Sequence, residues 1–493
     1  MARVLAVFSN RKAWRRIAGV CLYSFIGLCI CLGLWFAPAV YHRVYLFPRI
    51  KSELNVLRST LTPGQPPAGW KEFKGVVHSH SSLSHDCEVP FEEILRVLQR
   101  TGRDFICLSD HCTKGLADFS LQWRGLHEGK LFIPGFEMRR GFMPFGAASN
   151  VVLTNSADDA LLAQQIAAGG GLLFYAHPEE PRDWDRAELA GMEIYNTHAD
   201  FKDEHWALLN ILPDVLVNLD RHPDLVLRTI FDRPTSNLAK WDALNRSRHI
   251  SGVGGNDCHQ NAGLRIWCTT TNTIRIEDTS PKTLAELRLN LFTHLVASVL
   301  LGKLEPGKKL FQLQLDPYEL MVQHVTTHVW AHGLTEQEIL DSLRIGRGFV
   351  GFDLLVDSTG FVWFAENATG TALPGEHLAF DTETRFRCHS PSLCRITILK
   401  DGTQVHQTEG ESLAWQPSEP GIYRVEAELK LAGKWTPWVY SNPIRLTRQA
   451  EVGSRETRRP RPEISPHDQT KTTKASFPSD SRVSPQETQW LIR

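Results

Sequence analysis

The sequence lacks an excess of charge of either sign. Its 493 residues include 54 Lys and Arg against 55 Asp and Glu, which gives a formal net charge of −1. A chain without bulk charge has no general attraction to polynucleotides or anionic surfaces, so no nucleic-acid partner is expected. The 42% hydrophobic and 22% charged residues are ordinary for a globular protein, and the length predicts about three domains.

Several motifs that would indicate other chemistry are also missing. The ten cysteines do not have the spacing of a disulfide framework. Cys388 and Cys394 flank a turn and could pair, but two unpaired thiols explain them equally well. The sequence contains no nucleophile elbow of a serine hydrolase. His324 and His328 have the spacing of two ligands on one helix, but no acid accompanies them, which favours a structural pair.

The N-terminal part contains one long uncharged apolar segment, from Ile17 to Tyr41. Its 25 residues are enough to cross a bilayer as a helix. The alternative is a cleaved signal peptide, because Ala37-Pro38-Ala39 resembles a cleavage site, but the apolar region is longer than an ordinary signal core. Basic residues just before the segment predict a cytoplasmic N-terminus and an extracytoplasmic main chain, periplasmic in a bacterium. These basic residues are Arg11, Lys12, Arg15 and Arg16.

Six short apolar runs in the following part each end near side chains that can bind a metal ion. Helical patterns from Pro90 to Arg100 and from Asp158 to Ala168 lie between them. The alternation predicts a parallel α/β fold, in which the carboxyl ends of the strands meet at one rim. The runs and their terminal residues are Phe73 to Val77 with His78 and His80; Asp104 to Leu108 with Asp110 and His111; Leu131 to Phe136 with Glu137; Gly171 to Ala176 with His177; Met192 to Tyr195 with His198; and His249 to Gly254 with Asp257 and His259.

The order of these residues resembles the polymerase and histidinol phosphatase (PHP) superfamily, over about Lys71 to Ala262. The most specific pieces are HSHSSLSHD (His78 to Asp86), LSDH (Leu108 to His111) and GGNDCH (Gly254 to His259). The resemblance implies a distorted, TIM-like β/α barrel with two or three divalent zinc, manganese or iron ions at the C-terminal rim. Many members are phosphoesterases. The apolar N-terminal segment and a downstream β region are similar to the carbaryl-hydrolase-like branch.

The resemblance also implies how the ligands are shared among the ions, with Glu137 bridging two of them. His78, His80, Glu137 and Asp257 would hold one ion, His85, His111 and His259 a second, and Glu137, His177 and His198 a third. Glu137, Asp257 and His259 are the expected catalytic residues. The usual Ser-Asp is Ser84-His85-Asp86 here, so either His85 or Asp86 is the ligand, and the alignment favours His85.

Three neighbouring residues have supporting roles to consider. Asp110 is expected to orient a ligand or cap its turn rather than bind metal. Arg139 and Arg140, just after Glu137, could clamp a phosphate, although a solvated loop explains them more simply.

The predicted function is a membrane-anchored, extracytoplasmic phosphoesterase that hydrolyses a small phosphate ester through a metal-bound hydroxide. Two carboxylates against as many as three divalent ions leave such a site cationic, which suits an anionic ester. The alternatives are a metal-dependent hydrolase of other esters, carbamates or amides, and a non-catalytic binding or sensor module. The sequence leaves the substrate's identity and the oligomeric state open.

Six segments are expected along the chain. The predicted order is a basic cytoplasmic N-terminus (1–16), a transmembrane anchor (17–41), a linker (42–70), the metallohydrolase barrel (71–350), an immunoglobulin-like β-sandwich (351–447) and a disordered tail (448–493). Alternating residues and the Asp401-Gly402 turn indicate the sandwich, and few apolar residues with many Pro, Ser and Thr indicate the tail.

Overall fold

The computed structural model describes residues 11–155, 158–199, 205–228, 232–279 and 282–448, and of residues 11–17 and 205–210 it describes the backbone alone. Nearly all of the tail predicted to be disordered, and the first ten residues of the basic N-terminus, lie outside the described residues.

The chain begins with helix α1 (Arg11–Tyr41), one turn of π-helix (His42–Leu46) and helix α2 (Phe47–Ser59). Within the described ranges, Ala18–Ser59 is the one helical run long and apolar enough to cross a membrane, a test that a signal sequence also passes. Residues expected to form a linker thus continue the helix, and α2 buries Phe47 and Leu54 in the main apolar core.

The next part combines strands and helices, as the sequence predicts, although eight consecutive short strands lie between its first two α-helices. In chain order its elements are β1 (Lys71–Ser79), α3 (Phe91–Thr101), β2 (Phe105–Cys107), β3 (Asp110–His111), β4 (Leu116–Asp118), β5 (Gly125–His127), β6 (Lys130–Ile133), β7 (Phe136–Glu137), β8 (Phe142–Phe145), β9 (Val152–Thr154), α4 (Asp159–Ala168), β10 (Leu172–Tyr175), β11 (Leu189–Asn196), α5 (His205–Asn218), α6 (Pro223–Arg228), α7 (Thr235–Ser247) and β12 (Ser251–Cys258).

Six strands of this part form one parallel arrangement in the order β6–β2–β1–β12–β11–β10, and β3 and β7 form a separate parallel pair. Strand β8 continues the sheet by pairing antiparallel with β10. Gly135, just after β6, bridges to Phe145 in β8, and Gly146 N–H donates to the Pro134 carbonyl at 2.7 Å. The mixed α/β fold is confirmed, whereas the closed barrel stays a prediction.

The two predicted helices and their ends are confirmed. Helix α3 follows Pro90, places Ile94 and Leu98 in the core, and ends at Gly102 in the left-handed region (φ 66°), which glycine adopts readily. Helix α4 begins after Asp158, whose carboxylate accepts the Leu161 N–H at 2.9 Å.

An insertion follows β12 that the sequence analysis did not predict. Its elements are β13 (Gly263–Thr270), β14 (Thr273–Asp278), β15 (Thr283–Arg288), α8 (Leu291–Leu301) and β16 (Lys309–Gln314). The strands form a separate antiparallel sheet in the order β15–β14–β13–β16. The chain then returns through α9 (Tyr318–His324), β17 (Thr326–Ala331), α10 (Glu336–Ile345) and β18 (Gly348–Gly351).

The last described part is β structure in which the strands pair antiparallel except for the parallel pair of its third and last strands. It contains β19 (Val362–Asn367), β20 (Gly370–Ala372), β21 (His377–Ala379), β22 (Arg385–Lys400), β23 (Thr403–Trp415), β24 (Gly421–Leu431), β25 (Lys434–Ser441) and β26 (Ile444–Thr447). The hairpin at Asp401-Gly402 is confirmed, since both residues have positive φ between the paired β22 and β23. Cys388 and Cys394 are buried free thiols.

Strands β17 and β18 connect this β region to the parallel sheet. β17 pairs antiparallel with the first half of β1, β18 pairs with β17, and β25 pairs with β18. The hydrogen bonding of the parallel sheet therefore continues into the C-terminal strands across the boundary expected near residue 350.

A buried histidine in β17 joins these regions. His328 Nδ1 lies 2.7 Å from Glu72 Oε1 of β1, and its Nε2 lies 3.1 Å from Asp353 Oδ2. Arg103 faces Asp353 at 3.6 Å. Burial lowers the pKa of His328, but Asp353 and Glu72 outweigh burial and raise the pKa to about 9. His324 ends α9, so the two histidines do not share a helix.

The His328 pair should make stability depend on pH. Because the folded pKa of about 9 lies above the usual 6.5, the charged imidazole stabilises the fold fully below 6.5 and this stabilisation is lost as pH rises through about 9. The Tm difference between wild type and His328→Gln should therefore be largest below 6.5 and shrink towards alkaline pH. The exposed His85→Gln variant is the control, and a difference that stays constant across pH would contradict the assignment.

Candidate metal centre

Eight side chains from the ends of the parallel strands and the loops after them converge in two groups of four. We name them the His78 group (His78, Glu137, His177 and Asp257) and the His80 group (His80, Asp86, His111 and His259). Within each group, one nitrogen or oxygen atom of every member lies within 4.8 Å of those of the others. His198 forms a third group with Asp257 and His259. The three groups adjoin, since Asp257 and His259 are shared.

Three members of the His78 group have an unusual backbone conformation that orients their side chains. His78, His177 and Asp257 have φ of 64°, 50° and 50°, in the left-handed region that side chains other than glycine rarely adopt. His78 and Asp257 lie near the ends of β1 and β12, and His177 follows β10. Such conformations persist only where the surrounding structure imposes them, and they concentrate at functional sites.

The spacing between the donor atoms fits a shared cation. His78 Nε2 lies 3.2 Å from Asp257 Oδ1, and His177 Nε2 lies 3.1 Å from Glu137 Oε1. In the His80 group, Asp86 Oδ2 lies 3.4 Å from the Nε2 atoms of both His111 and His259. Ligands bound tetrahedrally at the usual distances from a zinc ion are about 3.4 Å apart.

Four buried side-chain atoms of the two groups also make no hydrogen bond of acceptable geometry among the described residues: His78 Nε2, His80 Nε2, Asp86 Oδ1 and Asp257 Oδ1. Buried polar atoms are nearly always satisfied, so such a concentration of exceptions requires an explanation. Imidazole nitrogens and carboxylate oxygens are the donors that zinc, manganese and iron accept. The residues present therefore fit two adjacent divalent cations.

A buried carboxylate fixes the orientation of His78. Glu193 Oε1, in the middle of β11, accepts from His78 Nδ1 at 2.5 Å and leaves Nε2 directed at the centre. Its other oxygen accepts the backbone N–H of His177 and the side-chain amide of Asn196, each at 2.9 Å. A carboxylate behind a ligand histidine sets its tautomer and raises its basicity. Sequence reasoning missed Glu193, although an acid inside the apolar run Leu189–Asn196 was the available signal.

A second buried carboxylate supports His80 through a serine. His80 Nδ1 lies 3.0 Å from Ser84 Oγ, which lies 3.3 Å from Asp110 Oδ1 and accepts the His111 N–H at 2.8 Å. Asp110 also accepts the Ser81 N–H at 2.6 Å. Asp110 thus lies outside both groups and fixes the turn that carries the ligands. Burial raises its pKa despite these hydrogen bonds.

The carboxylates of the groups are held as anions. Burial raises the pKa of Asp257, but His78 and His259 outweigh it and keep that pKa well below the usual value. His111 and His259 likewise lower the pKa of Asp86 against its burial. Burial lowers the pKa of His177, while Glu137 and Glu179 raise it to about 11. A metal ion competes with these protons for the same atoms, so binding releases protons.

The arrangement differs from the expected sharing of ligands in three ways. His80 lies in the group of His111 and His259, and His177 lies in the group of His78. Asp86, not His85, takes the expected place in the His80 group, because the His85 side chain is 77% exposed and outside all three groups. His198 lies with Asp257 and His259 instead of with Glu137 and His177.

The remaining predicted residues lie around the groups. Glu137, expected to bridge two ions, belongs to the His78 group, and its Oε2 lies 3.6 Å from His111 Nδ1 and 3.7 Å from His80 Nε2. Arg140 is exposed and pairs with Asp159. The backbone N–H of Arg139 donates to Asn155 at 3.1 Å. Neither arginine belongs to a group, and the phosphate clamp stays a prediction.

Comparisons with known proteins add little to this geometry. No family model matches the sequence, and no curated protein matches it. A solved two-domain protein from Bacteroides vulgatus, described as containing a predicted PHP-like metal-dependent phosphoesterase, is similar to 77% of this chain over 98% of its own length. The identity is 13% and the TM-score 0.33. A likeness this weak carries no argument about this chain.

A matched pair of substitutions distinguishes Asp86 from His85 as the ligand. Removing Asp86 takes one carboxylate from the His80 group, so Asp86→Ala should lower the bound metal by about one ion per chain. His85→Ala should leave the metal content unchanged, because its side chain is in solvent. Elemental analysis after dialysis against a weak chelator measures both. Loss of metal in His85→Ala alone would reverse the assignment.

Proposed function

We propose that this chain is a membrane-tethered, metal-dependent phosphoesterase that acts outside the cytoplasm on a small phosphate ester. The observation that carries the proposal is the set of four buried side-chain atoms in the His78 and His80 groups that have no hydrogen-bond partner in the part of the chain that the structure describes. The resemblance of the sequence motifs to the PHP superfamily supports it, as does the order of the ligands along the parallel strands.

The residues of the two groups would hold two divalent ions, with His198 available to a third. When bound, such ions supply Lewis acidity and lower the pKa of a coordinated water towards neutrality. Glu193 and the Ser84–Asp110 pair keep the imidazoles of His78 and His80 aimed at the centre, which preserves the geometry during turnover.

Substrate would enter on one side of the centre. His78 and His80 are fully buried, whereas the side chains of His111 and Asp86 are 29% and 24% exposed. His177 and Glu137 are partly exposed as well. The side of the centre formed by Asp86, His111 and His177 is therefore open to solvent, whereas the strands close the other side.

The charge of the site favours an anionic ester. Its two groups contain three carboxylates, Asp86, Glu137 and Asp257, so two divalent ions leave one net positive charge at the ligands and a third ion leaves three. A positive centre stabilises the charge that develops on phosphate oxygens during an in-line displacement. The barrel and the carbaryl-hydrolase-like branch are part of the proposal and stay predictions.

The activity test compares phosphomonoesters, phosphodiesters and neutral aryl esters on the purified full chain. We expect a phosphate ester to be hydrolysed fastest, with competitive inhibition by inorganic phosphate, because product and substrate present the same oxygens. Chelator should stop hydrolysis, and zinc, manganese or iron should restore it. Asp257→Asn should lower kcat/KM by at least about a hundredfold, since it removes a ligand that two groups share.

The control for that test is Asp183→Asn, which removes an exposed acid paired with Arg186 outside the groups and should keep full activity. Faster hydrolysis of neutral esters or carbamates, without inhibition by phosphate, would favour the alternative hydrolase. Retained metal with no turnover of any ester would favour a binding or sensor module.

The proposed location depends on α1 and the basic residues before it. A reporter that is active only outside the cytoplasm, fused after Thr447, should be active, and a cytoplasmic reporter at the same point should be silent. The chain should also keep its full length in the membrane fraction. The opposite reporter pattern would place the metal centre in the cytoplasm, and a shortened chain would indicate a cleaved signal.

A further inference from the structure

Helix α8 in the insertion exposes its large apolar side chains and turns its small ones inward. Leu291, Val299 and Leu300 are 93%, 76% and 75% exposed, and Phe292 and Leu295 are exposed too. The more buried side carries His294, Ala297, Ser298 and Leu301, and only the last is large and apolar. A helix on the surface of a soluble domain normally has the reverse arrangement.

The helix is well formed in spite of this exposure. Asn290 caps its first turn by accepting the Thr293 N–H at 2.9 Å, and Thr293 Oγ1 accepts the Asn290 N–H at 2.8 Å in return. Its apolar face is therefore a fixed surface. Leu284 and Leu287 of β15, the strand that precedes the helix in the chain, are exposed as well. Contiguous apolar patches of this kind mark surfaces that bind something.

Basic residues flank the apolar helix on both sides. Between residues 282 and 309 the sequence has five basic residues, Lys282, Arg288, Lys303, Lys308 and Lys309, against two acidic ones, Glu286 and Glu305. No charged residue occurs from 289 to 302. An apolar helix face bordered by lysine and arginine is complementary to a bilayer with anionic headgroups, which takes up the apolar side chains and attracts the cations.

We propose that α8 docks on the lipid bilayer to which the N-terminal helix tethers the chain, with its apolar face in the interface and the flanking cations at the headgroups. The inference uses the proposed membrane anchor but not the proposed reaction. Strand β13 begins just after the ligand His259, and Asp316, at the end of the insertion, accepts the backbone N–H groups of Asn261 and Ala262 at 3.0 and 2.9 Å. Docking would thus fix how the metal centre is oriented towards the membrane.

A second copy of the chain explains these features less well. An 11-residue helix is about 16 Å long, and one face of it is small compared with the roughly 800 Å² that each partner buries in a stable interface. Lys303 and Lys308 lie 2.8 and 3.9 Å from Glu305, but the flanking residues keep a net positive charge, so those of two copies would repel each other, whereas anionic lipids attract them.

The test uses the full chain reconstituted in phosphatidylcholine vesicles with added phosphatidylglycerol and a lipid that carries a photoreactive group on its acyl chain. After illumination, mass spectrometry should find lipid cross-links on residues 291–301 as well as on the N-terminal helix. The yield on the N-terminal helix is the internal reference. Replacing Lys303 and Lys308 by Gln should lower the α8 yield on anionic vesicles by about fivefold per residue.

The variants that test the apolar face are Leu295→Asp with Val299→Asp, which should lower the α8 yield at least about tenfold while the reference stays unchanged. The control is Leu126→Asp, an equally exposed leucine on β5, which should leave the α8 yield as in wild type. Metal content should be the same in all variants, which shows that the fold is retained. A wild-type α8 yield no higher than that of exposed Val405 overturns the proposal, and so do cross-links through α8 that join two copies when a bifunctional protein cross-linker is used instead of the lipid probe.

Discussion

The candidate metal centre depends on four buried atoms that make no hydrogen bond of acceptable geometry within the described residues: His78 Nε2, His80 Nε2, Asp86 Oδ1 and Asp257 Oδ1. Burying such atoms costs free energy unless a ligand binds them. His78 Nε2 and Asp257 Oδ1 lie 3.2 Å apart, a spacing at which one cation could bind both atoms. The surrounding contacts serve this arrangement. Glu193 and Ser84 each bind the far nitrogen of a histidine, so that its near nitrogen is free for the cation.

The backbone contributes to the same arrangement. In a regular strand, successive side chains point to opposite faces, so a residue at the end of a strand reaches the centre only if the chain turns there. The left-handed conformations of His78, His177 and Asp257 make that turn. Each is unfavourable by itself, and parallel pairing on both sides of β1 and β12 holds the strands in place. Rigid strands with strained ends thus position the ligands.

The sequence was sufficient to predict which residues lie at the strand ends, but not the path of the loops or the presence of the insertion. Apolar runs followed by His78, Asp257 or Glu137 are strong signals, because burial and strand direction act on neighbouring residues. Whether Asp86 or His85 lies in the His80 group depends on the path of the turn that carries them. The hydrogen bonds of Ser81 and Ser84 to Asp110 determine this path, and they join residues far apart in the chain. Two strands of the insertion, β15 and β16, are exposed or half-buried and lack clear alternation, whereas Ile274 and Ile276 of β14 alternate with polar residues and were a signal that the sequence analysis missed.

Under the proposed function, the number of bound ions would decide how strongly the candidate centre attracts an anion. With two ions, the three carboxylates of the groups leave one positive charge, and the buried Glu193 beside His78 offsets much of it at close range. A third ion near His198 would leave the centre clearly positive, and it would act in a partly enclosed site where water screens less than in solution. Asp257 also belongs to the His78 group and His259 to the His80 group. A third ion near His198 would therefore have to share these ligands with the other two ions. Under the proposed function, affinity for phosphate and occupancy by the third ion would therefore be coupled through Asp257 and His259.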